Sequence, residues 1–398
     1  MKKTLIAFAA LSAIAGVAQA QSTVTIYGLL DANLQNLKTN VVTGTGAGAT
    51  LRSVTQVRQD SGALNGSRWG IRVKEDLGGG LAAIGNLESG VNLDTGASGQ
   101  GGILFGRRAN VGLTGGFGTV TIGRNSSSYD DVSADHAMMG QTIFDPSNVN
   151  NGNNVSSLNT LGNAAQAFNS VPSAANAAGL RGAVVNVGGN FLSRNTTWLG
   201  YNTRFSNSVK YISPNFGGFT GSVMYALGED KTTTQSASRT VSANLKFANG
   251  PLLVSGGYQT EGFARTATTR PALENTLLSV AYDLGVAKIG AGFNRAKYKD
   301  VIAGQSTAAQ KEFNLSVAVP VGAATISAGI AQSRGDDFGK STGYGVQALY
   351  SLSKRTTLYT GLQSTKTYDK LASRVVASAP GSNIGRVQTF GVGVRHTF

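Results

Sequence analysis

The chain has 398 residues, with 34 Lys and Arg against 20 Asp and Glu (net charge +14), 54 glycines, 7 prolines and no cysteine. Without cysteine no disulfide scaffold is possible, and 14% charged residues beside so much glycine fits an ordinary soluble enzyme poorly. A basic excess can mark nucleic-acid binding, but no Lys/Arg run and no helix-turn-helix, zinc-finger or RNA-binding signature accompanies it, so no nucleic acid is expected.

Residues 1–20, MKKTLIAFAALSAIAGVAQA, carry two lysines, an apolar stretch from Leu5 to Val17 and the small-residue triplet Ala18-Gln19-Ala20. That order predicts a cleaved secretory signal, and the apolar run is too short to span a bilayer, which takes about 20 residues. Losing Lys2 and Lys3 from the 34 basic residues leaves 32 against 20 acidic ones. Outside the cytoplasm such an excess points to anionic lipid, anionic sugar or small anionic solutes.

From Gln21 onward, segments of about ten residues alternate apolar and polar, the two-residue period of strands with one greasy face. SRWGIRVKEDLGGG sets Trp69, Ile71 and Val73 against Arg68, Arg72 and Lys74. TVSANLKFANG sets Val241, Ala243, Leu245 and Phe247 against Ser242, Asn244 and Lys246, and KEFNLSVAVPVG repeats the pattern with Phe313, Leu315, Val317 and Val319. Short turn signals such as EDLGGG, FANGP and VPVGAA alternate with long polar stretches at roughly 37–66, 90–103, 228–237, 262–272, 300–309, 333–342 and 369–385. Sixteen such segments, in a short-long rhythm, predict an all-β fold: a 16-stranded antiparallel transmembrane β-barrel. A closed barrel satisfies its backbone in lipid, and at this strand number it encloses an aqueous channel. Residues 21–398 are read as this single domain. Aromatics near strand ends, Tyr27, Trp69, Phe105, Phe117, Tyr211, Phe219, Tyr225, Tyr282 and Phe398, suggest interfacial girdles.

One stretch breaks the rhythm. Roughly residues 125–203 are rich in Asn, Ala, Gly and Ser, and loops of that length are seldom idle. Its Tyr129 to Pro146 part is expected to fold inward and narrow the barrel, while 148–190 is open between an outward excursion and other conformations. The chain ends on GVGVRHTF, with Phe390, Val392, Val394, His396 and Phe398 on one face, so the last strand is expected to close the cylinder against the first with its apolar face in lipid.

Strand parity assigns lumenal charges. A cation at mid-depth on the lipid face would cost about 2–4 kcal/mol, which turns Arg68, Arg72 and Lys74 inward. The same alternation turns Glu88, Arg108, Arg204 and Lys210 inward, with Arg107 reaching the lumen near the rim.

VTIYGLLDANL, SRWGIRVKEDLGGGL, LESG, FGRRANVGL, FGTVTIGRN, SPNFGGF, SLSKRTTLYTGL and GVGVRHTF, taken together and in order, resemble the Gram-negative general diffusion porins, in particular the β-proteobacterial, anion-selective branch. The resemblance spans essentially all of 21–398. It implies an outer-membrane homotrimer, a third loop folded into each channel, and passive passage of small hydrophilic solutes with a preference for anions. Carried over by motif, the constriction is Arg68, Arg107 or Arg108, and Arg204, facing Glu88, Asp130 and Asp131. Alignment with the family favours Arg107 and parity favours Arg108. The resemblance also implies that Phe398 is read by the outer-membrane assembly machinery, and that lipid and lipopolysaccharide surround the barrel. A channel specific for phosphate or an organic acid, or a barrel-type adhesin, is the alternative.

Enzyme signals fail. His136 and His396 are the only histidines, and GDDFGKST has three residues between its glycines where a phosphate loop needs four. No catalytic residue, metal or cofactor is expected.

Overall fold

The computed structural model describes residues 22–43, 50–147, 197–198, 200–263, 265, 267–268, 270–300, 306–366, 368–369 and 383–398. The expected signal segment and the 148–190 stretch lie outside the described residues.

Seventeen strands form one antiparallel sheet: β1 (Thr23–Thr43), β2 (Thr50–Ser61), β3 (Arg68–Gly78), β4 (Leu81–Gly90), β5 (Arg108–Gly115), β6 (Gly118–Ser126), β7 (Arg204–Ile212), β8 (Phe219–Leu227), β9 (Arg239–Asn249), β10 (Leu252–Gly262), β11 (Ala272–Asp283), β12 (Lys288–Lys299), β13 (Gln310–Val321), β14 (Ala324–Gly335), β15 (Gly339–Ser351), β16 (Thr356–Lys366) and β17 (Asn383–Thr397). The last pairs with the first, Leu29 opposite Thr397 and Leu34 opposite Val392, which closes the sheet into a barrel. Both β2 and β3 pair with the same flank of β1: Ala32 lies opposite Ser61, and Leu29 opposite Arg68. They are two halves of one stave, so the wall has sixteen staves. Between the halves, Gly62–Ser67 stand opposite only Leu30 and Asp31, and must leave the ladder.

Alternation decides which way each side chain points. On β13 Phe313, Leu315 and Val319 are exposed on the outer face, while Glu312, Asn314 and Ser316 are buried inside; on β17 Phe390, Val392, Val394 and Phe398 face out. An apolar exterior with a polar interior is what lipid outside and water inside require, and it brings mean hydropathy to −0.04. No helix among the described residues is long and apolar enough to cross a membrane, which leaves crossing to the strands.

Two loop assignments from the sequence are corrected. The stretch 37–66 is mostly strand, because β1 runs to Thr43 and β2 begins at Thr50; β2 is exposed on both faces from Thr50 to Val57, and its apolar Leu51, Val54 and Val57 fall three residues apart, so alternation is silent there. Residues 333–342 are also strand apart from a tight turn between Gly335 and Gly339, where Gly339 has φ of 84°.

Tyr27 is not part of a girdle. It lies on the inward parity, its ring across Gly70, where a Cβ would come within 2.8 Å of Tyr27 Cζ. Phe398, on the outer face, covers Gly28 in the same way, with Cζ 2.4 Å from the position of a Cβ. Its backbone exchanges two 3.0 Å hydrogen bonds with Gly28.

After β6 the chain turns back across the inward-facing side chains. Ser242 Oγ on β9 accepts from the Tyr129 amide (2.8 Å), and the Tyr129 hydroxyl donates to Asn294 Oδ1 on β12 (2.9 Å). Ser316 Oγ on β13 accepts from the Met138 amide and donates to His136 O, both at 2.9 Å. Gln347 on β15 donates to Met139 O (3.0 Å), and Gln363 on β16 to Asp145 O (3.1 Å). Buried polar groups demand partners, and here wall and loop supply them for each other.

Candidate functional site

The charged cluster grows from the mouth of β3, β4 and β7. Glu88, near the end of β4, is 9% exposed. Its Oε1 accepts from Arg107 Nε at 2.7 Å, and its Oε2 from the Tyr27 hydroxyl at 2.8 Å. Arg68 opens β3, and its charge is coupled to those of Arg107, Glu88 and Arg204. Arg204 opens β7, coupled in turn to Arg107, Asp130, Glu88 and Arg124. Arg68, Arg107 and Arg204 thus interact electrostatically with Glu88, Arg107 alone contacting it, and Arg204 interacts with Asp130 on the loop.

Arg107, not Arg108, joins this group. Parity favours Arg108, which does stand opposite Glu88 in the β4–β5 register, but it makes no ion pair among the described residues. Arg107 precedes β5, on a bend where alternation has no meaning. Its amide donates to Glu88 O (3.1 Å), and Arg124 Nε holds the bend by donating to Gly106 O (2.7 Å).

Lys210, expected to point into the lumen, and Asp131, expected among the constriction acids, meet each other. Lys210 is 4% exposed; its ammonium pairs with Asp131 and donates to Ser126 O at 3.0 Å. It is consumed in clamping the start of the loop to β7. Asp130 accepts from the Tyr201 hydroxyl (3.0 Å); burial holds its carboxyl above the ordinary range, and the Arg204 charge opposes that. Arg72 stacks over the Tyr27 ring at 4.0 Å, an approach that favours a cation on the aromatic face. Lys74 is exposed on the inward parity nearer the short turns.

Several participants carried no legible motif. Tyr27 buttresses Glu88 and Arg72 together. Asp31, fully buried, accepts from the amides of Leu64 and Asn65 (2.8 Å each) and from the Tyr359 hydroxyl, and so fixes the six residues that leave the stave. These in turn touch the loop, since the Ile143 amide donates to Ala63 O at 2.8 Å.

Glycine seats the rest. A Cβ on Gly257 would come within 3.0 Å of Val132, on Gly290 within 2.3 Å of His136 O, on Gly345 within 1.8 Å of Phe144 O, and on Gly361 within 2.6 Å of the Phe144 ring. All lie on the inward parity, a track of missing side chains into which the loop backbone sinks. Parity combined with glycine position would have revealed it. His136 lies in this track, 1% exposed, stacked on Trp198 at 4.8 Å, and both ring nitrogens lack a hydrogen-bond partner among the described residues. Burial pushes its imidazole down to about 4. Among the described residues no group of three or more His, Asp or Glu could hold a metal ion.

Residues 7–370 match a family model described as Gram-negative porin. The chain belongs to the Gram-negative porin family. This porin is 30% identical to outer membrane porin protein 32 of Delftia acidovorans over the full length of both chains. It is also 30% identical to an outer membrane porin protein of Bordetella pertussis, over 65% of this chain and 59% of that one. Among solved structures, an anion-selective porin from Comamonas acidovorans superposes with a TM-score of 0.69 at 26% identity, over 95% of this chain and all of the other. OmpT of Vibrio cholerae in a trimer form shares the fold, with a TM-score of 0.57 at 15% identity over 95% of this chain and 99% of that one. The porin is thus an outer-membrane protein whose barrel is a channel and not an enzyme.

Proposed function

We propose that this porin passes small hydrophilic solutes passively and prefers anions, with its narrowing between the Arg68, Arg107 and Arg204 cluster and the loop from Ser127 to Ser147. The observation that carries this reading is the imbalance of charge: Arg68, Arg107 and Arg204 all interact electrostatically with Glu88, which Arg107 contacts at 2.7 Å, and Arg204 interacts also with Asp130. Low-dielectric walls concentrate the field of such a cluster and raise the local anion concentration. Glu88 and Tyr27 hold the guanidinium groups in place, and the mutual repulsion of the arginines keeps any single anion from being held too tightly, as conduction requires. Arg72 and Lys74 extend the positive lining toward the short-turn end. Arg108 lies beside the cluster, and Asp131 acts through its Lys210 clamp.

The same reading includes a homotrimer, export through a cleaved signal at residues 1–20, surrounding lipid and lipopolysaccharide, and recognition of Phe398 by the assembly machinery. The trimer form of OmpT, the 0.69 match to an anion-selective porin, and the pairing of Phe398 with Gly28 support it. Reversal potentials across planar bilayers in a KCl gradient test it. Anion preference should appear and shrink at high salt as the Debye length falls from about 10 Å at 0.1 M to about 3 Å at 1 M. Cation preference at low salt would overturn it.

A further inference from the structure

Beside the charged cluster the ladder between β6 and β7 breaks. Gly123 lies opposite Ser208, but Asn125 lies opposite Phe205, so Arg124 alone faces the two residues Ser206 and Asn207. One residue against two is a β-bulge, a device that re-aims side chains and recurs next to functional sites. The backbone is bent on both strands, with φ of 52° at Asn207 and 127° at Gly123. A Cβ on Gly123 would lie 2.3 Å from Ala109 O, so only glycine fits there. The Asn207 side chain is exposed and makes no hydrogen bond among the described residues, which leaves the left-handed backbone as the reason for an asparagine.

Two sets of bonds hold this bulge. Ser208 Oγ donates toward Gly123 O (2.9 Å) and Phe205 O (3.1 Å), spanning the break, and accepts from Asn125 Nδ2 at 3.1 Å. Ser208 and Asn125 are both buried, and a satisfied buried network of this kind rigidifies its surroundings. The second set belongs to Arg124. Its Nη1 donates to Ser206 Oγ at 2.9 Å, and its Nε donates to Gly106 O at 2.7 Å. Ser206 is the bulge residue two positions beyond Arg204, and Gly106 is the bend immediately before Arg107. One guanidinium thus spans the mounts of two cluster arginines that come from different parts of the wall, and its planar fork fixes their separation. Arg124 has no ion-pair partner among the described residues, and its charge opposes that of Arg204. A cation that gives its donors to neutral oxygens beside like charges is explained by the geometry it holds, not by charge balance.

We propose that Arg124 and the bulge at Ser206 and Asn207 are the positioning element of the charged cluster: they fix Arg107 and Arg204 relative to each other and so set how strongly the narrowing prefers anions. The inference rests on the constriction reading above. Arg124 is a positioning residue, which acts on solutes through the two arginines.

The test reads reversal potentials of the full-length protein and its variants in planar bilayers, in a KCl gradient at low salt, with gel mobility before and after heating as the check of folding. R124K keeps the charge but not the fork, so it should lose roughly half of the anion preference, because the field at the narrowing follows the placement of its charges. N207V, whose β-branched side chain resists a positive φ, should lower the preference likewise, and N207G, which accepts that conformation freely, should keep the native ratio. In an R107Q/R204Q background, itself less anion-preferring, R124K should change nothing further. A native ratio in R124K would overturn the proposal, as would an undiminished effect of R124K in that background. Should R124K fail to fold, the Asn207 pair decides: a lower ratio in N207V than in N207G sustains the inference, and equal ratios overturn it. An R107Q/R204Q channel with the native ratio would instead sink the constriction reading, and this inference with it.

Discussion

Gly345→Ala should disturb the channel more than any removal of a single lumenal charge. The new methyl would sit 1.8 Å from Phe144 O and 3.0 Å from Phe144 C. Both are backbone atoms, so no rotamer relieves the clash, and an ordinary contact requires the loop to retreat by more than about 1 Å. The wall cannot give way, because β15 is laddered to β14 and β16 on both sides. The loop must therefore move toward the barrel axis. That motion pulls at Thr142 Oγ1 donating to Gln347 Oε1 (2.6 Å), Gln347 donating to Met139 O (3.0 Å) and Ile143 N donating to Ala63 O (2.8 Å). Each buried bond left unmade costs about 1–3 kcal/mol, so losing two costs about 2–6 kcal/mol, enough to populate several loop positions. Single-channel recording should show lower conductance and greater open-channel noise, with barrel insertion unchanged. Gly256→Ala is the matched control, because its methyl would point outward with its nearest contact at 3.6 Å. A Gly345→Ala trace indistinguishable from native would refute the seat.

Glu88→Gln removes the carboxylate shared by Arg107 and Tyr27, so the permeability ratio at low salt should move further toward anions; a move toward cations in reversal potentials would contradict the cluster. His136 supplies a pH dependence. Its folded value of about 4 lies below the usual 6.5, so the stability it contributes is complete above about pH 6.5 and is lost as pH falls toward 4, by at most about 3 kcal/mol. Proteolysis within the loop should accelerate over that window in the native protein and much less in His136→Phe. Deleting Phe398 removes the two bonds to Gly28 and the ring that covers it, so surface expression should fall severalfold while the channels that do insert conduct normally; normal insertion of the deletion would disprove a role in assembly.

Most staves are legible because lipid on one side and water on the other impose a two-residue period, as in Phe313–Val319. That signal vanishes where both sides are wet, which is why the outer ends of β1 and β2 read as loop in the sequence. Parity also locates Arg68 and Glu88, whose strands are regular at those points, whereas Arg204 lies beyond a break in the β6–β7 register where Asn207 has φ of 52°, so alternation alone does not place it. It fails at Arg107, which stands before its strand begins, and it can place Lys210 on the inner face without showing that Asp131 neutralises it. Asp31 looks in sequence like one more polar lumenal residue. Its role depends on Leu64, Asn65 and Tyr359, separated from it by as much as the whole barrel, and no local pattern encodes such a meeting.

The broken stave has a consequence for how this channel can diverge. Because Gly62–Ser67 leave the wall under the hold of Asp31 and meet the loop at Ala63, the narrowing is tied at both ends, to β7 through Lys210 and to the first hairpin through this detour. A change of length or anchoring in those six residues would reset the aperture while leaving every arginine untouched. Width and charge preference are thereby separate inheritable traits, carried by different segments of the chain.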